Sequence, residues 1–187
     1  VDILSAIGLA IPAGLNAYIP LLGLALAQRF NIIHLPEPFA MLGEWWAIAL
    51  IAVLLVVEVL ADKFPAVDHA NDAIQSFVRP AAGAIVAVAA SGKAGENYPI
   101  AMIFLGIVVA GSVHAVKASA RPVINVGTAG LGAPVASTVE DVFAALATAA
   151  AILLPWLVGA VIVIVLVAAV WVWRRRARRK AAATSES

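Results

Sequence analysis

Long apolar runs alternate with short polar connections along nearly the whole chain, and each run is about as long as a bilayer core is thick. The runs predict spans at residues 15–29, 44–62, 71–91, 98–117, 137–155 and 156–173. An earlier apolar piece, residues 3–11, is cut off by Pro12, Gly14 and Asn16. Proline and glycine interrupt backbone hydrogen bonding, and lipid cannot repair the gap. This piece therefore reads either as an interfacial turn or as the outer half of a broken helix. The span 44–62 opens on Trp45 and Trp46 as interface anchors and, at ~1.5 Å per residue, covers about 28 Å, close to the hydrocarbon thickness. The span 71–91 is the poorest, because Gln75, Arg79 and Pro80 interrupt it. Its alternative is an interfacial helix to Val78 followed by a shorter re-entrant piece.

Element boundaries come from capping chemistry. Asn71 and Asp72 suit a helix start. Ser137 and Glu140 have the spacing of a capping box, in which hydroxyl and carboxylate each satisfy an orphan backbone amide. Residues 118–136 read as irregular. Pro155 makes so tight a connection that the last two spans could instead be one kinked helix, too long for the bilayer. The fold class expected is an all-α, polytopic transmembrane helix bundle of about six spans with broken or re-entrant helices. A repeat of helical hairpins is a further option, since Gly8-Leu9-Ala10-Ile11-Pro12 is similar to Gly130-Leu131-Gly132-Ala133-Pro134.

Composition strengthens the membrane reading. Hydrophobic residues make up 64% of the 187 and charged residues 12%, against about 25% charged in a soluble domain. A soluble fold this apolar could not cover its own surface. The net charge of +1 hides an asymmetry, because six of the twelve basic residues lie in Arg174-Arg175-Arg176-Ala177-Arg178-Arg179-Lys180. A basic run can mark a nucleic-acid patch, but this one directly follows the last apolar run. It reads as a cytoplasmic anchor under the positive-inside rule. The chain then divides into a transmembrane domain, residues 1–173, and a basic cytoplasmic tail, residues 174–187. With the tail inside, six crossings place Lys63, Lys117 and Arg121 inside too, along with the chain start. The N-terminal residues lack the basic region of a secretory signal, so the chain reads as mature and inserted through its own helices. There is no cysteine, which excludes disulfides and thiolate chemistry.

The polar residues gather toward the inner face. Glu58 and Asp62 share a helix face at a spacing of four, and His114, Lys117 and Arg121 form a basic face. Asp68, His69, Asn71, Asp72, Gln75 and Arg79 add a second group, Glu140 and Asp141 open the fifth span, and Asn16 and Tyr18 sit at the first break. An ionised group at the bilayer centre costs about 2.5–3.5 kcal/mol on insertion scales. Arg79 is therefore expected to pair with Glu58 or Asp62. The plainest role for these charges is to hold helices in register; a solvated binding site is the other. Three histidines lack the spacing of a metal site, and no catalytic or phosphate-loop fingerprint occurs. No cofactor is implied, and the reading is against an enzyme.

The segments Gly14-Leu15-Asn16-Ala17-Tyr18-Ile19-Pro20-Leu21-Leu22, Asp62-Lys63-Phe64-Pro65-Ala66-Val67-Asp68-His69 and Val78-Arg79-Pro80-Ala81-Ala82-Gly83-Ala84 carry a resemblance. So do the stretch from His114 to Arg121 and Ser137-Thr138-Val139-Glu140-Asp141. Together they resemble an uncharacterised bacterial integral-membrane family, the domain-of-unknown-function family 4126, up to about residue 154. The resemblance implies a multi-span membrane protein and no substrate. The function expected is a small inner-membrane transporter or channel-like protein, multi-pass in the bacterial plasma membrane with its C-terminus cytoplasmic. Its substrate-binding residues would be Asn16, Tyr18, Glu58, Asp62, Lys63, Asp68, His69, Asn71, Asp72, Arg79, His114, Lys117, Arg121, Asn125, Thr128, Ser137, Glu140 and Asp141. An anionic or zwitterionic solute suits the helix starts and basic groups there. The partners are the lipid bilayer, a small solute or lipid head group, and another copy or a membrane complex; nucleic acid is excluded. The competing reading is a structural or accessory subunit of a larger membrane complex.

Overall fold

The computed structural model describes residues 2–62, 65–128 and 132–185. Lys63 lies outside the described residues, and so do the side chains of Asp68, His69, Asp72 and Asn125. The described elements are all helical: α1 (Ile3–Leu15), α2 (Tyr18–Arg29), a 3-10 turn (Phe39–Gly43), α3 (Trp45–Ala61), α4 (Pro65–Ala90), the short α5 (Lys93–Asn97), α6 (Pro99–Gly127), α7 (Gly132–Leu153) and α8 (Pro155–Ser185). Among the described residues, four helices are long and apolar enough to cross a membrane, over Ala73–Ala90, Pro99–Ile124, Pro134–Leu153 and Pro155–Arg175. Ile3–Leu15 and Trp45–Ala61 are shorter apolar helices. The chain is an all-α bundle of the multi-pass membrane type.

The first surprise is the path of α1 and α2. Asp2 caps α1 through its carboxylate, which accepts the Ser5 amide at 2.8 Å. Asn16 ends that helix with extended backbone, and its side-chain oxygen accepts the amides of Tyr18 (3.1 Å) and Ile19 (3.2 Å), opening α2. On α1, Gly8 packs so closely on α7 that an added Cβ would fall 2.8 Å from the Ala151 methyl. On α2, a Cβ at Gly23 would collide with Thr148 of the same helix. Asn16, lying between them in sequence, instead reaches Asp141, about 10–15 Å further along α7 at ~1.5 Å per residue. Both arms therefore leave the break in the same direction. The two helices form a re-entrant hairpin, and each arm, about 18–20 Å long, falls short of a ~30 Å core. The span expected at residues 15–29 corresponds to α2, the second arm of this hairpin. The start of α1 lies at the hairpin mouth, at the end of the bundle away from the polar cluster.

This hairpin fills the middle of the bundle. Ala6, Leu9, Ala10 and Ala13 of α1 have no exposed surface, and α1 packs against α4, α6 and α7. Alanine and glycine at these positions let helix backbones approach closely, which is how helices associate in lipid. Helices α4 and α6 approach closely as well: a Cβ on Gly106 would strike the Gly83 carbonyl.

Other boundaries also move. The second expected span agrees with α3 to within a residue at each end. The poor third span is one continuous helix, α4, that carries Pro80 inside it. The stretch 118–136 is not irregular throughout: α6 runs on to Gly127 with Pro122 inside. Helix α7 begins at Gly132, whose amide donates to the Thr128 hydroxyl at 2.8 Å, so Ser137 and Glu140 are not a capping box but lie within the helix. Pro12 sits in the last turn of α1 and Pro134 in the first turn of α7, while Gly130 and Leu131 lie outside the described residues. Helix α8 touches the bundle near its start, where Gly159 meets Leu4 of α1. It carries a broad exposed apolar surface, including Val161, Ile164 and Trp171.

Candidate functional site

Beneath the hairpin tip lies a buried network of charged side chains from α3, α4, α6 and α7. Helical spacing puts its members within reach of one another. Glu58 and Asp62 are one turn apart at the end of α3. Asn71, Ser76 and Arg79 descend one side of α4. His114, Lys117 and Arg121 fall on one stripe of α6, and Ser137, Glu140 and Asp141 on one stripe of α7.

Arg79 forms the upper part. It has no exposed surface, and its Nε and Nη2 donate to Glu58 Oε1 at 3.3 and 3.0 Å. Nη2 also lies 3.7 Å from Asp62 Oδ2, so Arg79 pairs with both of the carboxylates that the sequence offered. Its Nη1 sits 3.0 Å from His114 Nδ1. A guanidinium can only donate, so Nδ1 must be the acceptor, and His114 is neutral with its proton on Nε2. That nitrogen then donates to Ser76 Oγ, 3.1 Å away.

Asp62 is the hub. Its Oδ1 accepts from Asn71 Nδ2 at 2.7 Å. Its Oδ2 receives Lys117 Nζ at 3.3 Å, Arg121 Nη2 at 3.1 Å and Ser137 Oγ at 3.5 Å. Four helices therefore meet on one carboxylate. Lys117 ties the network to the hairpin, because its ammonium donates to the Leu15 carbonyl at 2.8 Å and lies 2.9 Å from Glu140 Oε2. Arg121 Nη2 is 3.5 Å from the same oxygen. Asn16 Nδ2 donates to Asp141 Oδ1 at 3.0 Å. The break in the hairpin thus has its freed carbonyl held by a cation and its side chain held by an anion.

Depth follows from helix rise. Counting ~1.5 Å per residue from the hairpin-mouth ends, Arg79 lies about 16 Å along α4 and Lys117 about 27 Å along α6. The network therefore runs from the middle of the helices, at Arg79 and Glu58, toward the end away from the hairpin mouth, at Lys117 and Arg121. Among the described residues, three cations, Arg79, Lys117 and Arg121, face four carboxylates, Glu58, Asp62, Glu140 and Asp141. Among the described residues, Glu58 Oε2 is a buried carboxylate oxygen without a hydrogen-bond partner.

The structure brings together Asn16, Glu58, Asp62, Asn71, Arg79, His114, Lys117, Arg121, Ser137, Glu140 and Asp141. Tyr18 contributes its backbone amide to the Asn16 cap, and Thr128 sits apart, joining α6 to α7. Ser76 was not singled out in the sequence, although its place one turn before Arg79 on α4 is a signal for it. A groove of about 420 Å³ between α6 and α7 reaches Lys117 and Glu140. A second cleft, apolar and of about 460 Å³, lies among α2, α3 and α7 away from the charges.

The segments that build this network also carry the family likeness. The sequence pattern of the family Domain of unknown function (DUF4126) matches residues 3–175. The chain belongs to this family. The match takes in the hairpin, every helix of the DUF4126 network and the apolar part of α8. No curated protein and no solved structure matches the chain.

Proposed function

We propose that the chain is a small membrane transporter whose binding site is the charged network beneath the hairpin tip. The observation that carries this reading is the Leu15 carbonyl, freed by the helix break and ligated by Lys117 inside a buried ion network. Broken helices whose loose backbone ends meet at membrane depth are where transporters bind solutes and coupling ions. Ionisable groups at such depth are costly and mark solute or proton pathways. The balance of three cations against four carboxylates favours a zwitterion over a bare anion, since each end of a zwitterion can replace one end of an existing pair. The basic tail, Lys117 and Arg121 support a cytoplasmic position for the network side under the positive-inside rule. In this arrangement α3, α4, α6, α7 and α8 cross, and the hairpin enters from outside.

The scaffold reading has its own support, because Arg79, Lys117 and Arg121 each already hold carboxylate partners. Single cysteines decide between the two, since the chain has none of its own. Cysteines at Asn16, His114 and Ser137 in native membranes are expected to react with a water-soluble thiol reagent, and a zwitterionic substrate should slow that reaction. If all three resist while a control at Glu96 reacts, the network is structural cement and transport is wrong.

A further inference from the structure

The groove between α6 and α7 brings apolar walls and an ion pair into one place. Leu15, Ser112, Val113, Val116 and Ala120 line it together with Lys117 and Glu140. Its volume of about 420 Å³ falls in the range of small-molecule sites, about 300–1,000 Å³. Val116 on its rim is 69% exposed, and its neighbours Val139 and Phe143 on α7 are exposed apolar residues too. The groove therefore opens sideways, toward lipid.

We propose that this groove docks a zwitterionic, amine-bearing phospholipid, with its head group at Lys117 and Glu140 and its acyl chains along the walls. Charge order selects the head group. Glu140 is the accessible charge, with its side chain 21% exposed, whereas Lys117 is 1% and Arg121 6% exposed. A molecule entering from the bilayer meets a carboxylate first, which calls for an ammonium. Behind the carboxylate stand two cations, at 2.9 and 3.5 Å from Glu140 Oε2, which call for a phosphate. A head group carrying phosphate and amine a few bonds apart supplies both. An anionic lipid would press its charge onto Glu140 with no ammonium to offset it. Depth selects the lipid over a solute: Lys117 lies about 27 Å along α6, near the far edge of a ~30 Å core, where phosphates sit. Val113, one turn back toward mid-membrane, lines the path for an acyl chain. This site shares Leu15, Lys117 and Glu140 with the network of the proposed transport site, yet it asks only for lipid at the network's edge and leaves Arg79 and Glu58 untouched.

The test is lipid retention by the full purified chain, read by native mass spectrometry after exchange into phosphatidylethanolamine, phosphatidylglycerol, or soluble phosphoethanolamine. Phosphatidylethanolamine should be retained at least tenfold over phosphatidylglycerol. Val116→Trp should fill the groove and cut that retention at least tenfold, while Val53→Trp on the exposed face of α3 leaves it unchanged. Because Val116 is exposed, its variant should keep the wild-type melting temperature in lipid-free detergent. Glu140→Gln should narrow the preference between the two lipids. Equal retention of both lipids by the wild type overturns the proposal, as does full retention by Val116→Trp. If phosphoethanolamine alone binds as tightly as the lipid, the ligand is a soluble solute and the lipid assignment is wrong.

Discussion

Among the described residues Arg79 touches Glu58, Asp62 and His114, and its energetics rest on those three groups. Removing one member of a buried pair strands the other and costs about 3–5 kcal/mol. Arg79→Ala should therefore lower stability in mild detergent by about that much, and adding Glu58→Ala should recover part of it. Chemical-denaturation curves of the single and double variants measure the coupling, and strict additivity would contradict the pairing. His114 asks for a finer comparison. As a neutral acceptor it completes Arg79, so His114→Ala leaves a guanidinium N–H without its partner, at about 1–3 kcal/mol. His114→Asn retains an acceptor and should lose less. A larger loss for asparagine than for alanine would refute the tautomer assigned from the Arg79 contact.

At the level of elements, close helix approach depends on individual glycines, and not all are equal. A Cβ at Gly106 would strike the Gly83 carbonyl, whereas at Gly111 it would meet only the Pro80 ring, at 3.7 Å. Gly106→Ala should push α4 off α6 and cost about 1–3 kcal/mol as overpacking. Gly111→Ala, one residue beyond a turn away on the same helix, should be neutral or stabilising. Thermal unfolding of both variants checks the contrast. The elements also show which features the sequence made legible. Helix α3 was legible almost to the residue because tryptophans mark one end and a carboxylate the other. The pairing of Arg79 was legible because a buried guanidinium has few partners to choose from. The hairpin was not. Apolar periodicity reads the same whether the chain continues past Asn16 or doubles back, and the contacts that decide are to Lys117 and Asp141, 102 and 125 residues away. The start of α7 was missed because a hydroxyl four residues ahead, on Thr128, takes the capping role that Ser137 offered on paper.

For the molecule as a whole, the hairpin changes the parity of the topology. Two half-length arms return the chain to the side it started from, so the number of crossings becomes odd if α8 crosses. Reporter fusions should then give an outside signal ahead of Ile3 and at Gly95, and an inside signal at Arg121 and after Lys180. An inside signal ahead of Ile3, with Gly95 still outside, would restore a full crossing in the first thirty residues. The same side would then carry both chain ends, as the sequence pattern alone suggested.

The Asp62 hub also sets a schedule. Its carboxylate is made and threaded into the membrane with α3, yet Lys117 follows it by 55 residues in the chain. At synthesis rates of about 5–20 residues per second, that interval lasts roughly 3–11 seconds, and Ser137 comes later still. Until then the acid has only its partners on α4, Asn71 and, at 3.7 Å, Arg79. Assembly of the bundle is therefore a closing event: α6 arrives as a counter-ion as much as a helix, and a nascent chain halted before it should be a quality-control substrate.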